Sequence, residues 1–182
     1  MIMKKTTVAA AMLFALCANV AYADDIERPN EGSGEINFIG SIINAPCSIY
    51  SDSINQTIHL GQVSNATLDK YNESKMVDFN IKLEGCTFET AQSVDITFDG
   101  VPDATSTTKL ALNGSAAGAA IQMFNKQSGE AIELNKATNF TGLYVGDNTL
   151  RFGAKLVKTA EDKAGITPGE FDTKAHFVMK YK

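Results

Sequence analysis

The chain has 182 residues and carries 21 Asp and Glu against 16 Lys and Arg, with two histidines and no tryptophan. This length suits one domain and barely two. A net charge of −5 gives no electrostatic reason to bind nucleic acid, whose phosphates attract clustered cations. The sequence also lacks the basic cluster that would attract an anionic lipid surface.

The first 23 residues have the pattern of a secretory signal peptide. Lys4 and Lys5 form a charged beginning, residues 8–20 form an apolar run, and residues 21–23 form an A-x-A cleavage site. The apolar run is too short to span a bilayer, and no other stretch of the sequence is long enough for a span. A buried amphipathic helix is the alternative interpretation. We expect cleavage after Ala23 and no membrane span in the mature chain.

Export determines how the three cysteines are interpreted. Cys17 lies in the predicted signal peptide, which leaves Cys47 and Cys86 as a pair. An even pair in an exported chain predicts one disulfide, and closing a loop of about 40 residues removes roughly 4 kcal/mol of unfolded-state entropy. A metal site on the two cysteines is the alternative. It would need histidine or carboxylate partners at ligand spacing, and neither His59 nor His176 is near a cysteine in sequence.

After a polar lead-in at residues 24–34, short segments of alternating apolar and polar residues recur along the chain. The first places Ile36, Phe38, Gly40 and Ile42 on one face. A helical turn is predicted at 64–72, and strands are predicted at 54–60, 76–83, 93–100, 120–124, 130–134 and 149–158. Short strands with turn signals and no strong helical period predict an all-β sandwich of the immunoglobulin-like class. The cysteine pair lies too early, and too close together, to be the usual bridge between the two sheets of such a sandwich.

The last strand is predicted to run to the carboxyl terminus. One side of its two-residue period is apolar apart from Thr173, and the other side is mostly charged. Because chain ends usually fray, this strand needs a partner inside the protein or outside it. The apolar side contains Phe171, Ala175, Phe177, Met179 and Tyr181.

The sequence shows no recognisable catalytic or metal-binding constellation. Two histidines cannot make a three-histidine zinc site, and none of the common nucleotide, hydrolase or metalloprotease motifs occurs. His176 falls on the polar side of the last strand and is expected to face solvent. We therefore predict no enzyme activity, no cofactor and no metal.

Three motifs in the expected order make the chain similar to a known family. The first is G-x-I-x-F-x-G-x-I-I-x-A-P-C at 34–47, and the second is F-x-I-x-L-x-x-C at 79–86. The third is a glycine fourteenth from the end, Gly169, with a penultimate tyrosine, Tyr181. With its signal peptide, length and cysteine count, the chain resembles the subunits of chaperone–usher pili, the type 1 and P pilus pilins of Gram-negative bacteria.

The resemblance implies an incomplete immunoglobulin-like β-sandwich that lacks its last strand. A donor strand from a neighbouring subunit or from a periplasmic chaperone would complete it by strand addition. The expected organisation is a signal peptide at 1–23, an N-terminal donor-strand extension at 24–43 and a pilin domain at 44–182. The expected partners are neighbouring copies of the chain, the chaperone and an outer-membrane usher. The expected location is a fimbrium on the bacterial cell surface, reached through the periplasm.

The resemblance also assigns site residues. At Gly40 the incoming strand would meet a shallow part of the neighbour's groove, where only hydrogen fits. The alternative is that residues 36–42 form an ordinary first strand of this same domain. The implied donor residues are Gly34, Ile36, Phe38, Gly40 and Ile42. The implied residues of the acceptor groove strand are Gly169, Phe171, Ala175, Phe177, Met179 and Tyr181.

These inferences lead to a structural fimbrial subunit that polymerises by donor-strand exchange and supports cell adhesion. A major shaft pilin is favoured because the chain has a full donor segment and lacks the extra receptor-binding domain of tip adhesins. A minor adaptor pilin of the same system is one alternative. A self-contained secreted carbohydrate-binding sandwich, which would be stable as a lone monomer, is the other. An exported enzyme is the least supported class, since no acid, base or metal constellation is present.

Overall fold

In a computed structural model of the chain, the structure describes residue 32 and residues 34–87 and 92–182. The predicted signal peptide, residues 1–23, and the beginning of the extension at 24–31 lie outside these residues. The chain divides into two units, with the boundary between Ser41 and Ile42. Every helix and strand in the described part of the chain belongs to the second unit.

The second unit is built mainly from β-strands with two short helices. The helices are α1 (Ser51–Ile54) and α2 (Asn65–Tyr71), and a 3₁₀ turn lies at Lys163–Gly165. Ser64 caps α2, since its side chain accepts a hydrogen bond from the Ala66 amide. The strands are β1 (Ser48–Ile49), β2 (Val77–Cys86), β3 (Gln92–Gly100), β4 (Leu110–Ala111), β5 (Ala119–Asn125), β6 (Ala131–Ile132), β7 (Ala137–Leu143), β8 (Gly146–Lys158) and β9 (Ala175–Tyr181).

The strands form two antiparallel sheets. The larger follows the order β1-β2-β8-β5-β4, with β6 pairing on β5, and the smaller follows the order β7-β3-β9. Apolar side chains from both sheets join in a single core. The all-β prediction is therefore confirmed. The predicted hairpin is present as β5 and β6, where the Gly129 amide donates to the Asn125 carbonyl at 2.8 Å.

Phe152 on β8 lies at the centre of the core and has no exposed surface. Its ring centroid lies 5.1 Å from that of Phe79 on β2, 5.4 Å from that of Phe98 on β3 and 5.0 Å from that of Phe140 on β7. These distances are typical of stacked and edge-to-face aromatic pairs. One aromatic cluster therefore joins both sheets, and the closed part of the sandwich is packed around it.

Cys47 and Cys86 form a disulfide, with their Cα atoms 4.1 Å apart. Both residues are almost fully buried. Cys47 directly precedes β1 and Cys86 ends β2, and these two strands are neighbours in the larger sheet. The bond therefore links strands within one sheet, in agreement with the expectation that it is not the usual bridge between sheets.

The predicted strand at 54–60 is wrong. Residue 54 ends α1, and residues 55–60 belong to no strand. Two side chains form hydrogen bonds with the backbone groups of β2 that such a strand would need for pairing. The Ser53 hydroxyl accepts a hydrogen bond from the Lys82 amide at 3.0 Å, and the Gln56 side chain donates to the Asn80 carbonyl at 2.9 Å.

Candidate functional site

The smaller sheet ends on one side at β9, the last strand of the chain. All seven residues of β9 pair with β3, from Ala175 opposite Gly100 to Tyr181 opposite Val94. Directly after the strand, Lys182 and Ser93 exchange both backbone hydrogen bonds, at 2.9 and 3.2 Å. Within residues 34–87 and 92–182, no strand pairs with the other side of β9.

The hydrogen-bonding pattern shows which backbone groups face this open side. In an antiparallel pair, hydrogen-bonded residues alternate with residues whose amide and carbonyl point away from the partner. Since Lys182 is bonded to Ser93, residues 176, 178 and 180 also point toward β3. The backbone groups of Ala175, Phe177 and Met179 therefore face the open side of β9.

The side chains on this open strand are only partly covered. Phe177, Met179 and Tyr181 pack against the core but remain half-buried. The Phe177 ring lies 6.1 Å from that of Phe98, and partial burial raises the pKa of the Tyr181 hydroxyl. On the other face His176 and Val178 are exposed, and Ala175 at the start of the strand is exposed as well. The strand thus has a free backbone edge beside apolar side chains that are not fully buried.

Other members of the core share this partial exposure. Half-buried apolar side chains also occur at β1, at β2, in the loops before α2 and after β4, and just before β9. Part of the core surface is therefore open to solvent in the lone chain. These residues are Ile49, Leu60, Val63, Phe79, Leu112 and Phe171.

Gly169 and Phe171 precede β9 and lie against a different part of the molecule. Ala117 and Thr167 exchange backbone hydrogen bonds at 3.0 and 3.1 Å, and the Asp172 amide donates to the Asn113 carbonyl at 2.8 Å. A Cβ atom at position 169 would lie 2.6 Å from the Ala116 nitrogen. The close approach of these two segments therefore explains the glycine, which the sequence pattern alone had not explained.

Side-chain contacts on the outer face of the smaller sheet link the end of β9 to β3. The Lys182 ammonium forms an ion pair with the Asp95 carboxylate, and the Asn139 side-chain amide donates to the same carboxylate at 2.7 Å. The Lys182 hydrogen bond, followed by that from Asn139, lowers the pKa of the Asp95 carboxyl below its ordinary value. This contact holds Lys182 against β3, the strand that pairs with β9.

The predicted donor residues form neither helix nor strand. The exposed fractions of their large side chains are 77% for Ile36, 88% for Phe38 and 104% for Ile42. A Cβ atom at Gly40 would have no heavy atom within 4 Å, and the same holds at Gly34. The described residues therefore give no steric reason for a glycine at position 40.

The described part of the chain contains neither a candidate metal centre nor a candidate membrane-spanning helix. It contains no group of three or more His, Cys, Asp or Glu side chains placed to hold a metal ion. None of its helices is long and apolar enough to cross a membrane. The candidate site is the open side of β9, because a free backbone edge lies there beside half-buried apolar side chains.

Comparison with known proteins identifies the family. The model of the fimbrial protein family matches residues 36–182, and the chain belongs to this family. It is 40% identical over 153 residues to the Fimbria A protein of Serratia marcescens, covering 84% of this chain and 87% of that protein. It is 39% identical over 155 residues to the Major MR/P fimbria protein of Proteus mirabilis (strain HI4320), covering 84% and 86%.

The fold matches as well. A solved subunit from a chaperone–usher pilus, studied for the uncoiling of its rod, superposes with a TM-score of 0.72 at 27% identity, covering 84% of this chain and 97% of that one. The protein is thus a structural subunit of chaperone–usher pili with an immunoglobulin-like pilin fold, and it is not an enzyme. Such subunits are exported and assembled into surface fimbriae. The family resemblance and the fold class predicted from the sequence are confirmed.

Proposed function

We propose that the subunit polymerises by donor-strand exchange and that the open side of β9 accepts the strand of a neighbour. The observation that carries this proposal is the free backbone edge at Ala175, Phe177 and Met179, next to half-buried apolar side chains. An added strand would form ladder hydrogen bonds with that edge and cover the exposed part of the core. This is strand addition to a sheet edge.

The donor segment, residues 34–43, has the chemistry that the edge requires. Ile36, Phe38 and Ile42 recur at a two-residue period, so in an extended strand they point to one face. All three are largely exposed in the lone chain. Burying three such side chains contributes roughly 5–9 kcal/mol, and the backbone hydrogen bonds add to that. The inserted strand should therefore dissociate very slowly.

Gly40 supports the same assignment. Its lack of neighbours means that a side chain at this position would fit in the free subunit. A glycine that the subunit itself does not need is explained if the position packs closely against another molecule. In the proposed complex, Gly40 lies over a shallow part of the neighbour's groove.

Two further partners follow from the proposal. A periplasmic chaperone would supply a temporary strand to the open side of β9 and prevent premature association through the exposed edge. An outer-membrane usher would then be the place where the strand of the next subunit replaces it. The similarity to a subunit of a solved chaperone–usher pilus supports both partners.

Within the pilus, we place the subunit in the main shaft. One relative is named as a major fimbria protein, and the similar solved structure concerns a pilus rod. A shaft subunit must accept the donor segment of an identical copy. A minor adaptor would instead prefer the donor segment of a different subunit, so self-assembly of the pure protein separates the two roles.

The first experiment adds a synthetic peptide of residues 34–43 to the purified mature protein. We expect formation of a 1:1 complex and a rise of the melting temperature by well over about 10 °C, because a gain of several kcal/mol shifts the melting of a small domain by that much. The control is the same peptide with Gly40→Arg, which should give no shift. A stable monomer that ignores the native peptide would overturn the proposal.

The second experiment places the substitution in the full chain. Gly40→Arg should fold with the chaperone as the native protein does, because nothing surrounds the position, and should fail to polymerise. Ser41→Arg is the matched control, since it adds the same charge on the opposite face of the donor strand and should still polymerise. Normal filaments from Gly40→Arg would show that the donor assignment is incorrect.

A further inference from the structure

The smaller sheet has a second edge, at β7, and side chains close it. The side-chain amide of Gln127 donates to the Thr141 carbonyl at 3.0 Å and accepts from the Thr141 amide at 2.9 Å. One primary amide thus provides the donor and the acceptor that the backbone of a neighbouring strand would provide. Gln127 lies in the turn after β5, so this contact also joins the two sheets.

A neighbouring residue extends the closure along β7 and fixes the turn. The side-chain nitrogen of Asn125 donates to the Asn139 carbonyl at 3.0 Å, and Asn125 is only 1% exposed. Its side-chain oxygen accepts from the Gln127 amide at 2.8 Å. Residues 139 and 141 lie two apart, so their backbone groups face the same side of β7. The outward carbonyl of residue 139 and both outward backbone groups of residue 141 therefore have side-chain partners.

The edge at β9 differs from this one. In the described residues, no side chain donates to or accepts from the backbone of residues 175–180, whereas the β7 edge carries three such bonds. An open sheet edge is a template for pairing with any extended segment. Two open edges on one small sheet would let a subunit take two strands, which would produce branched or lateral association in place of a linear filament.

We propose that Gln127, held in place by Asn125, determines where a strand can add: it closes the β7 edge so that a strand from a second copy enters only at β9. This inference rests on the proposed strand exchange and extends it, because it concerns the choice between two edges of the same sheet. The residue acts by occupying backbone groups and makes no contact with the incoming strand.

The test compares native protein with Gln127→Ala, each saturated with the 34–43 peptide so that the β9 edge is filled. Hydrogen exchange measured by NMR should show the Thr141 amide exchanging about ten-fold faster in the variant, with the Val178 amide on the β3–β9 ladder unchanged. Native mass spectrometry and sedimentation should show one peptide per monomer for native protein. The variant should show additional peptide or several-fold more oligomer.

Thr141→Ala is the matched control, since it removes a side chain at the same edge while leaving the amide contacts intact. It should behave as native protein. Unchanged exchange at Thr141 in Gln127→Ala, or faster exchange without extra peptide or oligomer, would overturn the inference alone. Failure of native protein to bind even one peptide would overturn the proposed strand exchange and this inference together. A merely structural role for Gln127 would lower the melting temperature without changing the stoichiometry.

Discussion

Strands β8 and β9 have the same kind of sequence but very different surroundings. Both alternate apolar and polar residues, and both turn their apolar side chains toward the core. On β8, Leu150, Phe152 and Leu156 are buried, because strands β2 and β5 flank β8 on both sides. On β9, Phe177 and Met179 remain half-buried, and only β3 lies beside the strand.

The comparison teaches that an alternating pattern specifies which face of a strand points inward but leaves open whether that face is covered. Covering needs a neighbour on each side, and β9 has one. For an ordinary domain this would be an unfavourable edge. For a fimbrial subunit it is the place where another chain completes the fold, according to the proposed function.

The largest expected effect comes from a substitution in the core beneath β8, the strand that is paired on both sides. Phe152→Ala should reduce the free energy of unfolding by about 3–5 kcal/mol, because it removes a fully buried ring that packs against three others. Urea unfolding measures this loss. Thr149→Ala, on the exposed face of the same strand, is the control and should change stability by less than about 0.5 kcal/mol. A loss below about 1 kcal/mol for Phe152→Ala would contradict the proposed difference between the strands.

The corresponding phenylalanine substitution on β9 should destabilise the lone subunit only slightly and the peptide complex much more. Phe177→Ala should cost the lone subunit only about 1–2 kcal/mol, because much of this ring already faces water. It should remove most of the stabilisation that the 34–43 peptide provides, because the peptide would bury that ring. The melting temperature, measured with and without peptide, gives both quantities.

Val178→Ala is the control for this prediction. Val178 lies on the same strand but on the outer face, where it is 67% exposed. Its truncation should leave both the lone subunit and the response to peptide nearly unchanged. If Phe177→Ala destabilised the free subunit as much as Phe152→Ala did, the side chains of β9 would belong to a closed core.

Much of this arrangement could be predicted from the sequence, for physical reasons that also explain the failures. The strong alternation in β2, β3, β8 and β9 predicted these strands because a half-buried strand has a period of two. Strand β7 was not predicted, since Phe140 and Leu143 are its only buried residues. The segment at 54–60 alternates equally well, but the side chains of Ser53 and Gln56 occupy the edge it would need.

The candidate site likewise has features that the sequence predicts and features that it does not. The alternation of residues 36–42 and of the final strand is a local pattern, so it could be recognised without a structure. The donor role of residues 36–42 came from the family resemblance and stays a prediction. The closure of β7 by Gln127 could not be, because it depends on a contact between residues in two different sheets. The role of Gly169 likewise depends on how closely residues 115 and 116 approach it.

The smallest expected effect concerns the ion pair between Lys182 and Asp95, which links the end of β9 to β3. The Lys182 and Asn139 hydrogen bonds hold the pKa of Asp95 below its ordinary value of about 3.8. A carboxyl whose pKa is lower in the folded state stabilises the protein above its unfolded-state pKa. That contribution is lost as the pH falls through the folded-state pKa. Asp95→Asn should therefore be less stable than native protein at pH 7, and the difference should shrink toward pH 3.

Urea unfolding at pH 7, 5 and 3 measures this difference. Asp99→Asn is the control, because Asp99 lies on the same face of β3 but is exposed. The Asp95→Asn effect should be small, since Lys182 is largely solvent-exposed and exposed ion pairs are weak. It should appear most clearly as faster hydrogen exchange at the end of β9. A stability difference between Asp95→Asn and native protein that stays constant from pH 7 to pH 3 would mean that the carboxylate does not hold the last strand electrostatically.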